Sequence, residues 1–325
     1  MLMVALICNF LVHCYDMAAT KTKKAIDHIV PLNMNGLRGR MLHLAAPKSK
    51  KRELLFIYGH HASLERYVGF AEALNKYGSV TMPDLPGFGG MDAFYKIGMV
   101  PTLDNLADYL ASFIRLRFGR RRITVVGMSF GFIVVAKMLQ KYPDIAKRVD
   151  LVVSVVGFVH KDDFRIKRRN YYLMRAGTFI CTNRLIAWSI RTLLFQPTLI
   201  RLTYKLVENR NEKLKDATPE IRAERINFEI GLWRSNEVRT YMKTAHEMFT
   251  LDLGNKQVDL PVYHISVDGD RYFDNYLVEQ HLAVIFNKVT LIKSDMGGHS
   301  HTVIATAKEV APFFPRKIRQ LLAKT

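Results

Sequence analysis

The stretch Ile123-Thr124-Val125-Val126-Gly127-Met128-Ser129-Phe130-Gly131 narrows the choice of fold more than any other part of this chain. Its apolar, β-branched start reads as a strand, and the residues from Phe130 to Tyr142 read as a helix. A strand passing into a helix through Gly-x-Ser-x-Gly is the setting of a nucleophile elbow. The turn strains the serine backbone, and side chains at 127 or 131 would collide with it, so glycine is needed at both positions. The serine hydroxyl is then held above the end of a sheet. Behind it, the helix N-terminus offers free N–H groups to a developing oxyanion. Glycine and serine are common, so the motif takes its weight from this context and from its partners.

The partners follow along the chain. Pro261-Val-Tyr-His-Ile-Ser-Val267 reads as a strand ending in Asp268-Gly269-Asp270-Arg271. Lys288-Val-Thr-Leu-Ile-Lys293 reads as another, leading to Met296-Gly297-Gly298-His299. Serine is a poor nucleophile at its own pKa. It needs an imidazole to take its proton and a carboxylate to orient that imidazole. Ser129, Asp270 and His299 each sit just past an expected strand, in the order Ser, Asp, His.

On these residues the chain resembles the α/β-hydrolase superfamily, in its cap-bearing serine branch, from about Leu42 to Leu322. Leu54-Leu-Phe-Ile-Tyr58-Gly59-His60 looks like the family's strand and His-Gly loop, with Tyr58 in place of the usual histidine. Asp84-Leu85-Pro86-Gly87-Phe88-Gly89 looks like its Asp-x-Pro-Gly-x-Gly loop. The resemblance implies Ser129 as nucleophile, Asp270 as acid and His299 as base. It also implies that the backbone N–H groups of His60 and Phe130 form the oxyanion hole, with Gly127 and Gly131 flanking the elbow. Phe132 stands where many relatives carry a further glycine.

The rest of the chain alternates between strand and helix signals. Asn35-Gly36 between two short apolar runs marks a hairpin. Strands are expected near 54–58, 79–82, 123–126, 151–156, 262–267 and 289–293. Helices are expected near 64–76, 103–118, 130–142, 274–286 and 302–322. Such alternation predicts an α/β fold with a mostly parallel sheet of about eight strands, flanked by helices and edged by an antiparallel hairpin. The alternation stops between about 160 and 258, which reads as several helices inserted between strands 6 and 7. The expected organisation is therefore an N-terminal extension (1–24), a core (25–159 and 259–325) and a helical cap or lid (160–258). With 325 residues and 49% hydrophobic content, one large domain with an insertion is expected.

Alternatives stay open at several positions. Asp268 is two residues from Asp270, and some relatives take the acid from the end of the sixth strand, which points to Asp162 or Asp163. His301 is the fallback base. His60, His61, His299 and His301 show no carboxylate at metal-ligand spacing, so no metal is expected, and no cofactor pattern is present. Cys8, Cys14 and Cys181 are odd in number and suit a reducing compartment, hence the cytoplasm. Met1–Tyr15 is apolar but shorter than the ~20 residues of a membrane span. It reads either as an interfacial anchor or as sequence upstream of a true start at Met17.

The formal charge is +19, without any helix-turn-helix, zinc-finger or RNA-recognition motif. Solvated basic loops are one reading and weak, peripheral association with an anionic membrane surface is another. Tyr171–Ile200, rich in Leu, Ile, Phe and Tyr, reads as a cap helix over the site or as a face that touches lipid. Arg184 and Arg191, seven apart, are expected on one helical face. The expected activity is hydrolysis of a carboxylic ester or related apolar acyl substrate through an acyl-enzyme. Acyl transfer or carbon–carbon hydrolysis on the same triad is the alternative. A non-catalytic binding protein of the same fold, at a membrane surface, is the alternative of another class.

Overall fold

The computed structural model describes residues 23–207, 218–294 and 306–324. Eight strands form one sheet: β1 (Ile29–Met34), β2 (Leu37–Leu44), β3 (Arg52–Ile57), β4 (Gly78–Pro83), β5 (Ile123–Met128), β6 (Val149–Val155), β7 (Val258–Val267) and β8 (Phe286–Ser294). Their spatial order is β1-β2-β4-β3-β5-β6-β7-β8. β1 and β2 pair antiparallel, β2 pairs antiparallel with β4, and every pair from β4 to β8 is parallel. The hairpin turn places Asn35 at φ 52° and Gly36 at φ 79°, the left-handed pair that a two-residue hairpin loop demands.

β4 and β5 are buried at every position, because helices cover both faces of the sheet. The covering helices include α1 (Val68–Asn75), α2 (Leu103–Phe118), α3 (Phe130–Lys141) and, later in the chain, α9 (Asn275–Ile285) and α10 (Arg316–Ala323). α2 begins where Thr102 accepts the N–H of Asn105 at 3.2 Å, satisfying one of the four unpaired donors of its first turn. It ends at Gly119, and so matches the span that its apolar periodicity predicts.

Between β6 and β7 the described residues carry five helices longer than one turn: α4 (Arg168–Ile180), α5 (Arg184–Ser189), α6 (Pro197–Val207), α7 (Pro219–Ser235) and α8 (Val238–Met248). α5 runs into a π-helical turn at Ile190–Leu194. Arg184 and Arg191 are both exposed, Arg184 at the start of α5 and Arg191 in the π-helical turn.

Two expectations are corrected. The helix expected over 302–322 is, in its described part, a helical turn at Ala307–Val310, a 3₁₀ turn at Ala311–Phe313 and then α10. Pro312 and Pro315 are the cause: each lacks an N–H, and its ring crowds the preceding turn. β7 starts at Val258 and not at Val262, with Pro261 accommodated where the pairing with β8 shifts register.

No helix among the described residues is long and apolar enough to cross a membrane. The N-terminal alternatives, with Met1, Met17, Cys8 and Cys14, fall outside the described residues. Cys181 is buried, and burial pushes its thiol up. That suits a small apolar residue in the packing of the insertion.

Candidate active site

Ser129 lies at φ 49°, ψ −118°, a conformation that L-residues avoid, between the last residue of β5 and the first of α3. Its N–H donates to the Val155 carbonyl at 2.9 Å, tying the corner to the end of β6. Both flanking glycines are required, though not against the serine backbone. A Cβ at Gly127 would stand 2.7 Å from the Cα of Phe132. At Gly131 it would stand 2.3 Å from the Ile57 carbonyl oxygen and 2.4 Å from that of Tyr58. The elbow is thus wedged between its own helix and the end of β3. Phe132 is fully buried, and room for its ring comes from Gly157, where a Cβ would meet it at 2.5 Å.

Phe130 is the first residue of α3, so its N–H has no intrahelical acceptor. The β3 loop brings Gly59 beside it, with the Ser129 Cβ 3.5 Å from where a Gly59 Cβ would be. His60 follows, its ring 5.1 Å from that of Phe130 and 4.2 Å from that of Tyr241 in α8. The Thr244 hydroxyl lies 2.9 Å from His60 Nε2 and 2.8 Å from the Thr240 carbonyl. Burial lowers the His60 pKa to about 3, which leaves a neutral aromatic wall beside the elbow. Phe88, 5.4 Å from His60 and 6.1 Å from Phe130, extends that wall.

Tyr58, the residue that departs from the family pattern, is fully buried. Its hydroxyl donates to Asp84 Oδ1 at 2.8 Å and accepts the Leu85 N–H at 3.0 Å. Arg40 Nε reaches Asp84 Oδ2 at 3.2 Å. Burial pushes Asp84 up to about 8, against the pull of Arg40 and the Tyr58 hydroxyl. A Cβ at Gly89 would stand 2.0 Å from Asp84 Oδ1, so this glycine is what lets the loop close over the carboxyl.

His61 sits at φ 53°, its ring 4.0 Å from Trp233 of α7. Its Nε2 lies 3.2 Å from Glu229 Oε2, and Asn236 Nδ2 approaches its Nδ1 at 3.5 Å. Arg66 binds the other Glu229 oxygen and also donates to the His61 carbonyl at 2.8 Å. Burial, aided by the Arg66 guanidinium, lowers His61 well below the imidazole range, and burial pushes Glu229 up to about 8. The two histidines thus point to different partners, His60 to Thr244 and His61 to Glu229. Glu229, Trp233, Tyr241 and Thr244 are missed by the sequence reading. The only trace of them there is that Glu229 and Trp233 are four residues apart, on one face of a helix.

Asp270 lies in the loop after β7 and is 3% exposed. Its Oδ1 accepts the N–H groups of Tyr272 at 2.8 Å and Phe273 at 3.2 Å. Asp268 is exposed and meets Lys293 at 3.3 Å. Asp162 is exposed. Asp163 is buried but committed elsewhere, with Oδ2 on the Val159 and His160 N–H groups at 2.9 Å and Oδ1 on His281 Nδ1 at 2.5 Å. Ser129 follows β5 and Asp270 follows β7, strands two spacings or about 10 Å apart whose ends share the C-terminal edge of the sheet. β8 ends at Ser294 on that edge, and His299 and His301 lie outside the described residues.

His264 in β7 is buried beneath this edge, its Nδ1 2.9 Å from the Ser154 hydroxyl. Burial lowers its pKa from 6.5 to about 4, against the raising field of Asp270. The unfolded chain therefore binds a proton here that the folded chain refuses. The stability involved is present above pH 6.5 and lost as the pH falls toward 4. Relative to His264→Asn, the wild type should lose an extra ~1.4 kcal/mol per pH unit in that window, about 3 kcal/mol across it. Urea titrations of both proteins at pH 7 and at pH 4.5 measure this. Equal pH slopes for the two would mean that His264 charges without penalty in the fold.

Comparison with known proteins agrees with this architecture. The model of the alpha/beta hydrolase fold family matches residues 54–301. The chain belongs to that family. Among solved structures it is similar to a bacterial membrane phospholipase A described as a virulence factor, at 13% identity and TM-score 0.64, over 100% of this chain and 93% of that one. It is also similar to a thermophilic esterase from Thermogutta terrifontis, at 16% identity and TM-score 0.56, over 90% and 96% of the two chains. An esterase from Exiguobacterium antarcticum aligns at 13% identity and TM-score 0.59, over 82% and 90%. No curated protein matches the sequence.

Proposed function

We propose that the chain is a serine hydrolase cleaving a carboxylic ester or related acyl compound with an apolar acyl group. The observation that carries this reading is Ser129 at φ 49° between two glycines whose neighbours leave no room for a side chain, at the mouth of a helix. Strained backbone is retained where the surrounding structure over-determines it, and a reactive hydroxyl is one reason to retain it.

In this reading His299 takes the proton of Ser129 as its Oγ attacks the acyl carbon, and returns it to the leaving alcohol. It then activates water against the acyl-enzyme. Asp270 holds the imidazole tautomer, while its Oδ1 is anchored on two backbone N–H groups. The Phe130 and His60 N–H groups face the oxyanion. Small-molecule substrate is the only ligand this chemistry needs. In that role the inserted helices act as the cap, and its contribution beside the elbow is Tyr241.

The large apolar residues between Tyr172 and Leu194 are mostly exposed to solvent and so do not line an interior pocket. The acyl preference rests instead on the wall of Phe88, Phe130, Tyr241 and neutral His60. Each methylene buried there is worth up to about 0.8 kcal/mol, roughly fourfold. Two measurements test the proposal: labelling by a fluorophosphonate probe, and kcat/KM over nitrophenyl esters from acetate to dodecanoate. Labelling at Ser129 and a rise from acetate to medium chains are expected. No labelling would refute the serine mechanism, and a constant highest for acetate would refute the apolar acyl site.

A further inference from the structure

The described residues expose eighteen large apolar side chains, and eleven of them lie between Tyr172 and Leu202. Leu185 is 74% exposed, Trp188 and Leu193 63%, Phe179 62%, Ile180 54% and Leu202 52%. The same helices turn Gly177, Thr178, Cys181, Ala187, Ile190, Ile200 and Tyr204 inward. α4 and α5 pack on α8, and α6 packs on α7. Arg239 of α8 donates to the Thr182 carbonyl at 2.8 Å, and Arg191 to the Arg234 carbonyl at 2.8 Å. The layer is thus docked by its inward residues and backbone, while eleven of its bulky apolar groups face solvent. Apolar area concentrated in this way marks an interaction surface.

Charge says what covers it. Arg168, Arg169, Arg175 and Arg184 are exposed on this layer, Arg191 and Arg201 add charge beside it while bonding α7 and its end, and no Asp or Glu occurs from Phe164 to Val207. A second copy would bring the same arginines against these, on a chain already carrying +19. We infer that the outer face of α4–α6 docks on a lipid bilayer that presents anionic headgroups. Leu, Phe and Trp side chains enter the headgroup–acyl boundary, and the arginines reach the phosphates around them. Trp188 is suited to that depth, since an indole ring prefers the membrane interface. The inference is independent of the chemistry at Ser129. It puts the insertion, and with it the elbow beneath α8, at a lipid surface.

The chain has two tryptophans, and Trp233 is buried, so a change of environment on docking reads out at Trp188. The full chain is sedimented with mixed phosphatidylcholine–phosphatidylglycerol vesicles and with pure phosphatidylcholine vesicles, at low and high salt. Binding at least about tenfold stronger to the anionic vesicles, weakened by salt, is expected. A blue shift of Trp188 emission and its quenching by brominated lipid are expected with it. The double variant Leu185→Asp, Trp188→Asp should melt like the wild type and lose vesicle binding, because both side chains are exposed. Equal binding to the two vesicle types, or a double variant that binds as the wild type does, would overturn the inference. So would light scattering that shows a dimer which this variant dissolves, since the face would then belong to a second copy.

Discussion

Purified Ser129→Ala should retain the fold and lose turnover on the order of 10⁶-fold. The effect is that large because the hydroxyl is the group that forms the covalent intermediate, and nothing else at the elbow replaces it. The fold is spared because the Cβ stays and the wedge of Gly127 and Gly131 is untouched. A useful companion is Ser129→Gly. It should be equally inactive yet more stable, by about 1 kcal/mol, since glycine adopts φ 49°, ψ −118° without strain. Ester turnover by Ser129→Ala within tenfold of the wild type would end the nucleophile assignment.

The second large effect is expected at Asp270. Asp270→Asn should lower kcat by up to roughly 10⁴-fold, because an amide presents the imidazole with the wrong hydrogen-bonding partner. The amide oxygen can still accept the Tyr272 and Phe273 N–H groups that Oδ1 now accepts, so melting should change little. Asp268→Asn removes only an exposed contact to Lys293 and should leave kcat within a few-fold, as surface ion pairs contribute about 0–1 kcal/mol. If Asp268→Asn were the inactive variant, the loop would act two residues earlier than its burial pattern suggests.

Much of the fold is legible in the sequence because its signals are local. β-branched runs mark the parallel strands, Asn35-Gly36 marks the hairpin, and the span of α2 follows from its periodicity and its Thr102 cap. The break of the last helix was legible too, in Pro312 and Pro315, but apolar periodicity hid it. The site is legible in part. Sequence order brings Ser129 and Asp270 to one sheet edge, while the choice between Asp270 and Asp268 needs burial, which depends on how β7 is covered. The contacts of His60 and His61 are not legible at all. Their partners lie about 170 to 185 residues away in α7 and α8, and nothing local in Glu229 or Thr244 announces the pairing.

The Arg66–Glu229–His61 cluster limits how this protein can be re-engineered. It joins the insertion to the loop that carries His60, with Asn236 adding a bond to the Gly89 N–H at 2.8 Å. Arg66 and Glu229 are the charge pair within it, and losing one partner of a buried pair costs about 3–5 kcal/mol. The insertion is therefore not a module to be exchanged between relatives at the ends of β6 and β7. A chimera that keeps its host's residues at 61 and 66 takes the His61 and Arg66 contacts away from the buried Glu229. One that transfers residues 59–66 and the 87–89 turn together with α7, Asn236 and α8 keeps the Arg66–Glu229–His61 contacts and the Asn236–Gly89 bond together.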